Sequence, residues 1–318
     1  MNRYQVKSPV AFFVFNRPDY TREVFARIAE ARPRRLLIVA DGPRDHVDGE
    51  DERCRQVREI IDRVDWDCDL KTNYSEVNLG CRVRVSSGLS WVFEEEESAI
   101  ILEDDCLPAD SFFRYCDELL ERYWNEPRVM TICGTNHLRD TPSKTSYLFT
   151  THLSIWGWAT WRRAFATYDV DLHSWAETSL TRPFDRLPLH KKEVRQLHRS
   201  LDNLAENDPA KRNANTWDYQ WIYNCYINGG LAITPRTNLI CNIGFGADAT
   251  HTLSSDHKLS RLPVGELAFP LQHPETVEVA ADYDRTYYEV LIRKSFPEKV
   301  RNFFRRSARY FRGGRRRG

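Results

Sequence analysis

The sequence predicts an α/β protein built on a mostly parallel central sheet with helices on both faces. Three observations lead there. The apolar runs 10–15, 36–40 and 99–102 are continuous rather than alternating, as in strands buried on both faces. Helical spacing follows each run, and strands separated by helices pair in parallel. Each run also ends in polar residues, at Asn16-Arg17, Asp41-Gly42 and Glu103-Asp104-Asp105. In such sheets ligands sit outside the carboxyl ends of the strands, so these groups should gather along one edge.

The elements follow in order. Pro18 stands at a first helical turn and opens a helix to Ala31. The second strand stops at Asp41-Gly42-Pro43, and a charged helix covers 51–64. A weaker strand at 69–75 and a helix at 81–96 precede the strand at 99–102. A helix at 109–124 and a strand at 129–133 complete this half. Past Thr150 tryptophans cluster (Trp156, Trp158, Trp161, Trp175). A polar helix at 191–207, a short aromatic helix at 217–228 and a strand pair at 231–243 broken at Pro235 are expected there. The organisation reads as a nucleotide-binding half (1–140), an aromatic half with a glycine-containing loop (141–290) and a basic tail (291–318).

The 318 residues suit one large domain or two small ones, and the apolar content excludes wholesale disorder. Formal charge is zero but uneven. No acid follows Glu298, whereas Lys299 and eight arginines do, which leaves the preceding body at minus nine. The apolar run after Val10 is too short for a signal segment, and no stretch reaches roughly 18 apolar residues, so a cytoplasmic protein is expected. Eight cysteines without a C-x-x-C pair read as buried reduced thiols.

Glu103, Asp104 and Asp105 pose the chemical question. Adjacent carboxylates at the end of a buried strand repel one another and lose water, which raises their pKa values and weakens the fold. A divalent cation, Mn²⁺ or Mg²⁺, is one compensation, since both take carboxylate oxygens together with water and phosphate. The other reading is an acidic N-terminus for the helix beginning near Pro108.

The apolar strand ending in EDD, with PADSFFRYCDELL behind it, resembles N-acetylglucosaminyltransferase I-type enzymes and their bacterial relatives, family 2-like glycosyltransferases of the GT-A fold. The resemblance runs from PVAFFVFNRPDYTREVF to GFGADATHT. It implies that Arg17 reaches a donor diphosphate and that Asp41 accepts a hydrogen bond from a uracil N–H. Asn78, Gly80 and Arg84 of NLGCRVR would lie near the donor. Glu103 and Asp104 would sit by the ribose and donor sugar, and Asp105 would ligate Mn²⁺. Simpler readings stand beside these: Arg17 paired with Asp19 or Glu23, Asp41 as a turn aspartate, and 78–80 as a helix-entry turn.

In IWGWATWRRAF, Trp156 and Gly157 fit the resemblance to a donor-sugar pocket, while Trp158 and Trp161 have helical spacing and read as core. In NTWDYQWIY, Asp218 lies among aromatics, which favours a general base, and the resemblance implies that role. Tyr219 stands where the family often has a second Asp. Asn215 and Asp218 alternatively form a capping-box-like pair. His251 resembles a histidine in a donor-covering loop, with Gly244 and Gly246 as hinge or turn glycines.

The tail KVRNFFRRSARYFRGGRRRG alternates apolar residues at helical spacing with arginines, as in a helix lying on an anionic membrane surface. Nucleic-acid binding and a solvated tail are its other readings. Together these features predict a metal-dependent inverting glycosyltransferase, peripheral on the inner membrane face. It would move sugar from a UDP-sugar to a glycan hydroxyl, the acceptor being lipid-linked in a surface-polysaccharide pathway. A nucleotidyltransferase of similar fold and a non-catalytic glycan- or membrane-binding protein are the alternatives.

Overall fold

A computed structural model describes residues 4–181, 183–206, 215–244 and 262–293. Strand β1 (Val10–Val14) leads through α1 (Pro18–Ala31) to β2 (Arg35–Ala40), then through α2 (Glu50–Ile61) to β3 (Asp69–Tyr74), and through α3 (Gly80–Glu95) to β4 (Ser98–Glu103). These strands are parallel neighbours in the order β3-β2-β1-β4. The chain steps outward from β1 to β3 and then returns to the far side of β1. The boundary between β1 and β4 is therefore a topological switch point.

Next come β5 (Cys106–Pro108), α4 (Ser111–Arg122), β6 (Val129–Cys133), β7 (Tyr147–Thr150), β8 (Trp158–Trp161) and the short α5 (Arg162–Phe165). The helices α6 (Trp175–Leu180), α7 (Lys191–Ala205) and α8 (Asp218–Ile227) precede β9 (Leu231–Pro235), β10 (Ile240–Asn242) and α9 (Ala281–Tyr287). The sheet continues from β4 as β8-β6-β9-β7, so a single eight-stranded sheet passes through both halves of the chain.

The α/β class and the helix-covered sheet are as expected. The expectation of parallel strands holds for the first half and for β6 beside β9. β8 is antiparallel to both β4 and β6, and β7 is antiparallel to β9. Helical spacing in WATW misled because the segment is a strand. In a strand, residues three apart face opposite sides. Trp158 packs on the α3 side, and Trp161 packs on the α4 side, donating from Nε1 to Leu120 O at 3.1 Å. Both are core residues. The strand pair expected at 231–243 is also corrected: β9 belongs to the large sheet, whereas β10 pairs antiparallel with β5.

Alternate residues of β1, β2 and β4 feed two cores. Phe12, Ile38 and Leu102 face α1, α2 and α4, whereas Phe13, Val39 and Ile101 face α3, α5 and α8. A third core gathers α6, α7 and the outer side of α8. All eight cysteines are free thiols. Among the described residues, no helix is long and apolar enough to cross a membrane.

Gly88 sets the height of α3 above the sheet. A Cβ there would lie 2.6 Å from Val39 Cγ1 and 2.7 Å from Phe13 Cε1, both in packed strands. Alanine should gain about 1 kcal/mol in helix propensity but lose about 1–3 kcal/mol to overpacking. Gly88→Ala is therefore expected to lower stability despite being the better helix former. A urea midpoint equal to or above wild type would show that α3 can lift without cost.

Candidate functional site

The parallel strands deliver their carboxyl ends to one edge. Asn16 and Arg17 follow β1, Asp41 and Gly42 follow β2, and Glu103 ends β4. The antiparallel register of β4 with β8 ends at Ile101 opposite Trp158, and Gly157, just before β8, packs against Leu102 and Ile240.

Arg17 does not pair with Asp19, which bonds Arg22 instead. Its guanidinium forks across the acids at the switch point. Nε donates to Asp104 Oδ2 at 3.2 Å, Nη2 to Asp104 Oδ1, and Nη1 to Asp105 Oδ2 at 2.9 Å. Burial works against the cation, but the charges of Asp104 and Asp105 outweigh it and hold Arg17 above its ordinary pKa. Asp104 is almost fully buried, and burial raises its carboxyl more than Arg17 lowers it. Glu103 has no hydrogen-bond or ion-pair partner among the described residues. Burial first, then the charges of Asp105 and Asp104, push its carboxyl up to about 8.

The acids do not cap α4. Its first N–H groups are served by Glu266, which accepts from Asp110 N at 3.1 Å and Ser111 N at 2.9 Å. Strand β5 intervenes and carries the chain away from Asp105. Its partner β10 brings Gly244 back over the acids, with Ile243 N donating to Asp105 O at 2.9 Å. A Cβ on Gly244 would overlap Asp105 Oδ2 and lie 2.8 Å from Arg17 Nη1. A hard divalent cation fits this place in its donor chemistry, since the acid side chains offer carboxylate oxygens, while the room left by the missing Cβ of Gly244 is taken up by Asp105 and Arg17. Among the described residues no three His, Cys, Asp or Glu side chains are arranged to hold a metal between them. The fit is therefore to a cation that keeps most of its ligands from water or phosphate.

Asp41 is buried, and four donors of its own chain converge on it. Oδ1 accepts from Gly42 N and Leu79 N, each at 2.9 Å. Oδ2 accepts from Gly80 N at 3.0 Å and Asn78 Nδ2 at 3.1 Å. The expected uracil acceptor is thus committed to building the 78–80 turn at the start of α3. Gly80 has φ +77°, and a Cβ there would lie 2.9 Å from Asn215 Nδ2. Asn215 Oδ1 accepts from Arg82 N at 2.9 Å. Asn215 therefore caps α3, and the expected capping box with Asp218 does not form. Arg84 is buried behind this turn. Its Nη2 donates to Asn73 O at 2.6 Å and to Asn73 Oδ1 at 2.9 Å, and burial lowers its pKa against the pull of Asp41.

Asp218 opens α8 and is half-buried. Its Oδ1 accepts from the Thr216 hydroxyl and from Tyr219 N at 2.9 Å, leaving Oδ2 without a partner among the described residues. Cys81, at the start of α3, lies within electrostatic reach of several of these groups. Burial pushes its thiol up to about 12, and the charges of Glu103, Asp218 and Asp41 add to that shift while Arg17 opposes it.

Trp156 is half-buried, its carbonyl accepting from Thr135 Oγ1 at 2.8 Å and its ring meeting the His137 edge at 5.2 Å. Gly157 has φ +57°, and its missing Cβ makes room for Ile240 and Leu102 rather than for a ligand. His251 and nearly all of the basic tail lie outside the described residues. Sequence reasoning missed Asn215 as a helix cap and Glu50 as the anchor of Asn16, whose Nδ2 donates to it at 2.7 Å. Burial disfavours the Glu50 charge, but bonds from Arg44 and Asn16 hold its carboxyl down to about 2. Neither contact has a local sequence signal, since each partner arrives from a distant segment.

No protein-family model matches the chain, and no curated protein matches it. Solved structures similar to it include a UDP-glucose pyrophosphorylase complexed with UDP-glucose, at 9% identity and TM-score 0.35, covering 74% of this chain and 93% of that one. Another is a 4-diphosphocytidyl-2C-methyl-D-erythritol synthase from Anaerococcus prevotii DSM 20548, at 10% identity and TM-score 0.31, covering 69% of this chain and 96% of that one. Likeness this distant assigns neither activity to the chain.

The raised Glu103 carboxyl makes stability depend on pH. Its folded pKa exceeds the ordinary carboxylate value, so the folded state binds the proton more tightly. The Glu103 contribution to stability should then fall as pH rises from about 4.5 towards 8 and change little outside that window. Asp104 acts in the same direction. In chelator, Glu103→Gln should be more stable than wild type at pH 8 and match it near pH 4.5, as read from urea midpoints across pH. A constant difference across the range would show that the Glu103 charge is not the cause.

Proposed function

We propose that the chain is a transferase acting on a nucleotide sugar, and within that class an inverting glycosyltransferase that uses a UDP-sugar. The observation that supports it most is the convergence of Arg17, Asp41 and Glu103-Asp104-Asp105, from three strand ends, with Asp218 from the other half of the chain. The switch point between β1 and β4 suits the nucleotide, and Trp156, half-buried beside the His137 ring, suits the donor sugar. Asn78 and Arg84 support the wall of the crevice, and His251 belongs to the loop that would cover the donor. The brevity of the β1–α1 connection also favours glycosyl over nucleotidyl transfer. Only Phe15, Asn16 and Arg17 separate the two elements, too few to wrap a triphosphate.

In this reading Asp218 Oδ2 accepts the proton of an acceptor hydroxyl as that oxygen attacks the anomeric carbon. The bond from that carbon to the UDP oxygen breaks on the opposite face, giving inversion. Asp105, with Glu103 beside it, would hold Mn²⁺ or Mg²⁺. When bound, such a cation offsets the charge of the diphosphate. A lipid-linked acceptor and a membrane-surface location rest on the sequence of the basic tail.

Thermal-shift titration with UDP, GDP and dTDP, each with and without Mn²⁺, tests the donor. UDP at a hundred times its dissociation constant should stabilise the fold by about 2.7 kcal/mol, and only with the cation. Asp218→Asn should keep that shift and lower turnover of UDP-sugar with a glycan acceptor by about 10²–10⁴-fold. Normal turnover in the variant removes Asp218 from the mechanism. Pyrophosphate release from UTP and a sugar phosphate would establish a nucleotidyltransferase instead. Glycan binding without nucleotide or metal would leave a binding protein.

A further inference from the structure

Arg17 is in the wrong place to meet a diphosphate while it serves the acids. All three bonding nitrogens of its guanidinium are spent on Asp104 and Asp105, and only about a fifth of the side chain is exposed. The Asp105 oxygen that accepts from Nη1 is the one roofed by Gly244. The other oxygen, Oδ1, lies 3.5 Å from Cys106 Sγ. A cation ligated by Asp105 would stand about 2.0–2.2 Å from a carboxylate oxygen, closer than the guanidinium and with twice its charge. Two positive groups cannot share that slot cheaply, because each removes the reason for the other to stay.

We infer that Arg17 and a divalent cation are alternative partners of Asp105, so that cation binding expels the guanidinium from the acid pair into the crevice. This deepens the proposed metal-assisted reading and rests on it. Arg17 balances the acids in the metal-free protein and is released to a phosphate-bearing donor when the cation balances them instead. Metal and donor would then bind in order, the metal unlocking one of the donor's own contacts. Asp104, buried and without another cationic partner among the described residues, limits how far Arg17 moves. The expected motion is of the side chain, with α1 staying in place.

The test uses Mn²⁺ alone, with the free ion counted by electron paramagnetic resonance, on wild type, Arg17→Gln and Arg17→Lys. If the two cations compete, Arg17→Gln binds Mn²⁺ at least tenfold more tightly than wild type. Arg17→Lys falls between them, because an ammonium keeps the charge but cannot fork across two acids. Equal or weaker affinity in Arg17→Gln overturns the inference, as does failure of both proteins to bind millimolar Mn²⁺. Should Arg17→Gln not fold, the wild type still decides. Its Arg17 Nε–H resonance should lose protection from exchange when Mg²⁺ is added, and unchanged protection rejects the idea. A UDP thermal shift that persists in chelator would keep the nucleotide reading even if this competition failed.

Discussion

The carboxyl end of β4 carries three consecutive acids to the sheet edge beside β1, and the charge balance there constrains everything around it. Burial and mutual repulsion raise Glu103 and Asp104, so the cluster is tolerated only because a cation is built in. Arg17 can supply it because β1 lies next to β4 and only three residues separate β1 from α1. The parallel order β3-β2-β1-β4 is what makes those two strand ends neighbours. A sheet that wound in one direction only would leave the acids without Arg17.

The second constraint is the start of α3. A helix begins with unsatisfied N–H groups, and such an end ordinarily attracts an anion. Here the chain closes the end with its own side chains. Asp41 takes Leu79 N and Gly80 N, and Asn215 takes Arg82 N. An anion approaching this edge therefore meets a turn whose amides are largely spent. The same bonds join the end of β2 to the turn at the start of α3.

Much of the first half was legible in the sequence because its signals are local. Continuous apolar runs mark β1, β2 and β4, Pro18 marks the start of α1, and the strand ends mark the edge where ligands would sit. The second half was less legible for a physical reason. In β8, Trp158 and Trp161 serve different cores, so their spacing mimics a helix face although the segment is a strand. The exchange between β5 and β10 depends on residues more than a hundred positions apart, with no turn between them to announce it. Gly157 and Gly244 were both suspected, yet only the structure distinguishes them. Gly157 yields to Ile240 and Leu102 in the core, whereas Gly244 yields to Asp105 and Arg17 at the site.

The aromatic half then takes on a different meaning. Tryptophans near a sugar site invite a stacking role, but Trp158, Trp217 and Trp221 are buried together, with the Trp158 ring centroid 5.3–5.8 Å from the other two. They anchor α8 to the sheet while Tyr223 and Tyr226 anchor its other side to α6 and α7. Asp218 accepts hydrogen bonds only within its own turn, so no polar contact among the described residues fixes it relative to Glu103. Its position follows from the packing of the helix behind it and from Asn215 clasping α3 just before it. Rigid rings buried on both sides hold that position better than flexible aliphatic chains would, because few rotamers fit a packed aromatic core. Trp158, Trp217 and Trp221 therefore act through the packing of α8, whereas Trp156 is half-buried against the His137 ring.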